Sequence, residues 1–216
     1  MKEVEYGRQI ATGLGCEVIE RTDAFDESVD MGKDAVVEWL MLDVAPKLRG
    51  AHFVVVVCGG HGSSGALCTT DHKDLDEPHD IERPINTAVK GVPKFFFYQH
   101  CMGTKSHRTE APPEADAVAD AAAPPSPHKY ANTWRFYSST TGFYAYRSKG
   151  DSPFLKAVSS VIDRSSRLTI EQLKFGINEE FANHHDQVPH CDASLDCRSD
   201  TIFKRRKSKG NIVPVD

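Results

Sequence analysis

Two unbroken apolar runs dominate the pattern of this chain. Residues 53–58 read Phe53-Val54-Val55-Val56-Val57-Cys58 and residues 94–98 read Lys94-Phe95-Phe96-Phe97-Tyr98. Both are too short for a buried helix and are rich in β-branched or aromatic side chains, which predicts strands covered on both faces. Each stops at a turn, Gly59-Gly60-His61-Gly62 in the first case and Gln99-His100-Cys101-Met102-Gly103 in the second.

Around these runs the periodicity changes. Residues 2–14 predict the end of a helix, closed by Gly13 and Gly15, and the alternation over residues 16–21 predicts a half-buried strand. Val36, Val37, Leu40, Met41 and Val44 recur at helical spacing and predict a helix over about 32–46. Further on, 133–138 reads as a strand, 153–162 as a helix opened by Ser152-Pro153, and 169–183 as a helix capped by Thr169. A last strand is expected near Thr201-Ile202-Phe203. Covered strands alternating with helices imply an α/β fold with a mostly parallel sheet, whose sites gather outside the carboxyl ends of the strands. His61 and Cys101 both follow such an end.

One segment breaks the pattern. Residues 104–129 carry Pro112-Pro113, Ala121-Ala122-Ala123 and Pro124-Pro125, a composition that cannot bury a core, and are expected to be a linker. The 216 residues otherwise suit one domain, and a formal charge of −5 gives no general attraction to nucleic acid or to anionic membranes. The basic cluster Lys204, Arg205, Arg206, Lys207 and Lys209 is read as a solvated strand end. No leader or membrane-length apolar stretch is visible, so the expected location is cytoplasmic, and six irregularly spaced cysteines are expected to be reduced.

A thiol attacks a carbonyl only as thiolate, so a cysteine nucleophile needs an imidazole nearby and dipoles aimed at the developing oxyanion. His61 sits in a glycine-rich turn where a substrate backbone could approach, and Cys101 in a tight turn 40 residues on. His184, His185, His190, Cys191 and Cys197 form a second candidate cluster, but their spacing fits no standard zinc pattern, so no metal and no cofactor are expected.

These segments resemble the caspase family of cysteine endopeptidases. The strand running into His61-Gly62 resembles the family's Ser-His-Gly segment, and Gln99-His100-Cys101-Met102-Gly103 resembles its Gln-Ala-Cys-Arg-Gly, with His100 and Met102 as departures. Residues 136–148 resemble the small-subunit segment that enters the substrate loop, and Ser152-Pro153-Phe154-Leu155 the helix start after it, so the likeness spans roughly 8–206. The resemblance implies a three-layer sandwich with helices on both faces of the sheet. Its first strand, with a second pocket arginine, has no counterpart in the sequence.

The resemblance further implies Cys101 as nucleophile, His61 as acid/base and the amides of Gly62 and Cys101 as oxyanion hole. Gln99 and Arg147 would hold an aspartate before the cut, with Tyr144 and Tyr146 as an aromatic wall. Residues 1–104 correspond to the large subunit, 105–130 to a processing linker cut at Asp120 and secondarily at Asp116, and 131–216 to the small subunit. The implied function is cleavage of protein substrates after aspartate in apoptosis-type proteolysis, made as a zymogen and acting as a dimer with itself or a homologue through the last strand. The alternative is a catalytically impaired regulator that binds an active homologue. A preference for basic residues, as in metacaspases, is disfavoured by Gln99 and Arg147.

Overall fold

The computed structural model describes residues 2–22, 28–63, 65–103, 130–140, 142–143, 145, 151–165, 167–182 and 187–194, with the backbone of 202–204. Helix α1 (Lys2–Gly13) is followed by α2 (Lys33–Trp39), which widens into a π turn over Leu40–Val44 and tightens into a 3-10 turn over Ala45–Leu48. The helical periodicity thus continues through three geometries rather than one. Pro46 is the cause, because it has no N–H for the ladder and its ring crowds the preceding turn.

Strand β1 (Val54–Gly59) leads into a small antiparallel sheet of β2 (His61–Ser63), β3 (Ala66–Cys68) and β4 (Asp74–Asp76). A wide turn over Glu77–Glu82 and helix α3 (Arg83–Ala88) then return the chain to β5 (Lys94–Gln99). Beyond residue 129 come β6 (Thr133–Tyr137), α4 (Pro153–Arg164), β7 (Arg167–Thr169), α5 (Ile170–Phe181), β8 (His190–Ala193) and β9 (Ile202–Lys204). Helix α5 carries a full capping box, in which Thr169 and Gln172 each bond the other's backbone N–H.

The main sheet has the order β1-β5-β6-β8, with the first three strands parallel and β8 antiparallel at its edge. Every residue of β5 and β6 is buried. Even Lys94 is buried, because its ammonium donates to the carbonyls of Val89 and Val92. One face of the sheet packs Phe95, Phe97, Trp134 and Phe136 against α1, α4 and α5. There α1 lies so close to α4 that a Cβ on Gly13 would stand 2.8 Å from Ile162 Cγ2. The other face packs Val54, Phe96, Tyr98 and Tyr137 beneath α2, α3 and the small sheet. This is the expected α/β sandwich with helices on both faces.

One expected strand is absent, and β2, β3, β4, α3, β7 and β8 were not foreseen. Residues 16–21 form no ladder; they run as a strap whose Glu20 takes a two-pronged bond from Arg8 and whose Arg21 donates to the Asp30 carbonyl. Alternation without a partner strand does not make a strand. The small sheet and β8 carry no strong periodic signal, since His190-Cys191-Asp192-Ala193 lacks β-branched residues. The last strand does form, and it pairs antiparallel with β7. Among the described residues β1 has no ladder partner on its outer side.

Candidate functional site

Parallel pairing fixes where the two candidate side chains emerge. The last rung between β1 and β5 joins Gly59 to Gln99, and the Gly60 N–H extends it by donating to the Gln99 carbonyl at 3.2 Å. His61 and Cys101 each lie two residues beyond that rung, on strands about 4.8 Å apart. They therefore flank the same carboxyl end of the same strand pair.

The two turns are built differently. His61 is exposed, on the first strand of a hairpin that pairs it with Cys68 and reverses at Gly65, where φ is +80°. Gly62 is required by space: a Cβ there would stand 2.5 Å from the Ala66 carbonyl oxygen and 2.9 Å from His100 Nδ1. Cys101 is half-buried, with Sγ 3.8 Å from the Ala145 carbonyl. Its neighbour Met102 is stitched to the segment beyond β6, its N–H donating to Phe143 at 3.0 Å and its carbonyl accepting from Gly142 at 2.8 Å. Gly103 abuts the Gly142 backbone with no room for a side chain. The departure Met102 is buried in the apolar cluster with Tyr98, a place where a cation would be costly.

The other departure, His100, is fully buried and organises the site from below. Its Nδ1 lies 2.9 Å from the Cys101 carbonyl, which can only accept, so Nδ1 carries a proton. Its Nε2 lies 2.5 Å from Glu77 Oε1, and Glu77 Oε2 accepts from the Tyr137 hydroxyl at 2.9 Å. Ser138 Oγ donates to the His100 carbonyl at 3.1 Å. In a trans peptide the N–H points opposite the carbonyl, so Ser138 also fixes the direction of the Cys101 N–H. Glu77, Tyr137 and Ser138 were given no role from sequence, and His100 only that of a departure from the motif. The one signal was the histidine where the motif has alanine.

Gln99 is fully buried, and its Oε1 accepts from Ser152 Oγ at 2.6 Å while the same hydroxyl caps α4 through the Leu155 N–H at 3.1 Å. Deeper in, Arg135 makes a two-pronged pair with Glu82, with Nε 2.5 Å from Oε1, and the Tyr98 hydroxyl reaches Glu82 at 3.3 Å. Burial pushes the Glu82 carboxyl up, while the bonds from Arg135 pull it down. Burial also pushes the Cys16 thiol up to about 11 and the Cys58 thiol up to about 12, Glu77 and Glu82 adding to the latter, so neither is a nucleophile at neutral pH.

Tyr144, Tyr146 and Arg147, the expected processing sites Asp116 and Asp120, and His184, His185 and Cys197 lie outside the described residues. Among the described residues no group of three or more His, Cys, Asp or Glu side chains could hold a metal ion, and no helix is long and apolar enough to cross a membrane. A family model described as Peptidase_C14, caspase domain, matches residues 10–198, and no curated protein matches the chain.

Proposed function

Because this chain belongs to the caspase-domain family of cysteine peptidases, we propose that it cleaves proteins after aspartate, with Cys101 as nucleophile and His61 as acid/base. The observation that carries this reading is the shared strand end, His61 and Cys101 each lying two residues past the Gly59 to Gln99 rung. His61 takes the thiol proton, and the thiolate attacks the carbonyl carbon to form a C–S bond. The resulting oxyanion accepts from the amides of Gly62 and Cys101. His61 then protonates the departing amine as the C–N bond breaks, and water hydrolyses the thioester.

Aspartate is selected by Gln99 and Arg147, with Tyr144 and Tyr146 walling the preceding residue. Cleavage of the linker at Asp120, and secondarily at Asp116, separates residues 1–104 from 131–216 and converts a zymogen to its working form. The working form is a dimer with itself or with a homologue, in the cytoplasm, in apoptosis-type proteolysis.

The test is hydrolysis of a fluorogenic Val-Ala-Asp peptide by the purified chain, with a Val-Ala-Arg peptide and Cys101→Ala as controls. Turnover of the aspartate peptide alone, lost in Cys101→Ala, is the expected result. Turnover of the arginine peptide would overturn the aspartate preference. No turnover, combined with altered activity of an active homologue on mixing, would replace the enzyme reading with that of a binding regulator. Intact mass after incubation of Cys101→Ala with an active caspase checks Asp120.

A further inference from the structure

His100 does not face the substrate side, yet it touches the turns that carry both reacting side chains. Its Nδ1 holds the Cys101 carbonyl, and its own carbonyl is held by Ser138. Both peptide planes flanking the Cys101 Cα are therefore pinned, which fixes φ and ψ of Cys101 and the direction of its Cα–Cβ bond. On its other side the ring meets Gly62, where a Cβ would stand 2.9 Å from Nδ1 and 3.0 Å from His100 Cβ. The imidazole thus fills the space between the His61 turn and the Cys101 turn.

We propose that His100 is a positioning residue for the reaction: the bond from its Nδ1 to the Cys101 carbonyl sets the Cys101 turn against the His61 turn, and Glu77 and Tyr137 steady the ring that makes it. The proposal rests on the catalytic pair assigned above. The ring is held by one polar bond and one aromatic contact: Glu77 takes Nε2 at 2.5 Å, its second carboxylate oxygen steadied by the Tyr137 hydroxyl at 2.9 Å, and the Tyr137 ring lies edge-on to the imidazole with centroids 6.4 Å apart. The carboxylate and the imidazole depend on one another. An alanine at position 100 would leave the fully enclosed Glu77 without its nearest partner, and a leucine at position 77 would leave Nε2 facing carbon.

Side-chain chemistry separates a positioning bond from mere filling. Asparagine at position 100 keeps a donor where Nδ1 stands and gives up the reach to Glu77. Glutamine at position 77 keeps the whole network, donating its amide N–H to Nε2 and accepting from Tyr137 at its oxygen. Because a displacement of about 1 Å can lower a rate about 100-fold, His100→Ala is expected to lower kcat on the Val-Ala-Asp peptide by about 100-fold with KM within a few-fold. His100→Asn should restore most of that loss, and Glu77→Gln should stay near the native rate.

A second measurement needs no substrate: carboxamidomethylation of Cys101 by iodoacetamide, followed by peptide mass mapping with an added free-cysteine peptide as reference, since Cys68 pairs with His61. Native Cys101 should react faster than the reference thiol, His61→Ala should remove that advantage, and His100→Ala should remove most of it while His100→Asn keeps it. If His61→Ala removes the advantage and His100→Ala leaves it intact, the positioning role is overturned while the catalytic pair stands. If His100→Ala and His100→Asn slow the thiol equally, the ring acts only by bulk and the proposal is likewise overturned. If His61→Ala changes nothing, the pair itself falls and the proposal with it. Melting curves of His100→Asn and Glu77→Gln confirm that the comparison is made on folded protein.

Discussion

On one face of β5 and β6, Phe95 stacks on Trp134 with ring centroids 4.8 Å apart and Phe97 on Phe136 at 4.9 Å, sealed by the apolar sides of α1, α4 and α5. On the other face the same two strands present Tyr98, Arg135 and Tyr137, bonded to Glu77 and Glu82. Alternate residues of the same segments thus build a dry layer and an ionised one. The dry layer is held by area and shape, and tolerates small losses gradually. The ionised layer sets buried pairs within an apolar cluster of its own, and is weakened sharply when one partner of a pair is withdrawn. The candidate site grows from the ionised face, at its carboxyl end.

The contrast is broken most severely by withdrawing one buried charge. Glu82→Ala strands Arg135 and is expected to cost about 3–5 kcal/mol in urea unfolding, whereas replacing both partners by apolar residues of similar volume should cost far less. A comparable loss from the double replacement would mean that the pair is held for net stability. On the dry face, Leu155→Ala, in α4, removes a fully enclosed side chain and should cost about 2–5 kcal/mol, the upper part of that range applying if the layer cannot collapse into the gap.

A finer measure is the double cycle of Phe97→Leu and Phe136→Leu, whose coupling should be about 0.5–1.5 kcal/mol. Coupling near zero would reduce the stack to plain burial. The smallest effect concerns His190, which lies over the Tyr137 ring at the sheet edge. Its hydrogen bond to Asp192 raises its pKa above the ordinary value, with partial burial opposing. A raised folded-state value gives stability that is full below the unfolded pKa and is lost as pH rises through the folded one. Melting temperatures measured from about pH 6 to about pH 8.5 should therefore fall slightly more in the native chain than in His190→Gln.

The same contrast explains what could be read from the residues alone. Lys94 to Tyr98 announced a covered strand and is buried on both faces, whereas Phe53 to Cys58 read the same way but forms β1, where only Val54 is buried and the other residues are half-buried or exposed; an unbroken run also conceals which face is which. Arg135 inside Thr133-Trp134-Arg135-Phe136-Tyr137 was the only hint of an ionised layer, and its partner Glu82 belongs to a stretch of charges that reads as solvated surface. His61 and Cys101 were legible because glycine turns interrupt apolar strands there. Glu77 was not, because pairing across 23 residues of sequence leaves no periodic trace. Residues 16–21 misled for the opposite reason: alternation describes a half-covered ribbon, and pairing depends on what lies alongside.

The seat of α1 has a consequence for the order of assembly. Its Tyr6 hydroxyl donates to Asp151 at 2.9 Å and its Gln9 accepts from Ser159 at 3.0 Å, contacts made across 145 and 150 residues of chain. The pairing of β1 with β5 spans a much shorter loop, and closing a longer loop costs more entropy before any contact is gained. Helix α1 is therefore the element set to dock late and to open early, its amides exchanging with solvent sooner than those of β5, while the centre of the sheet remains intact.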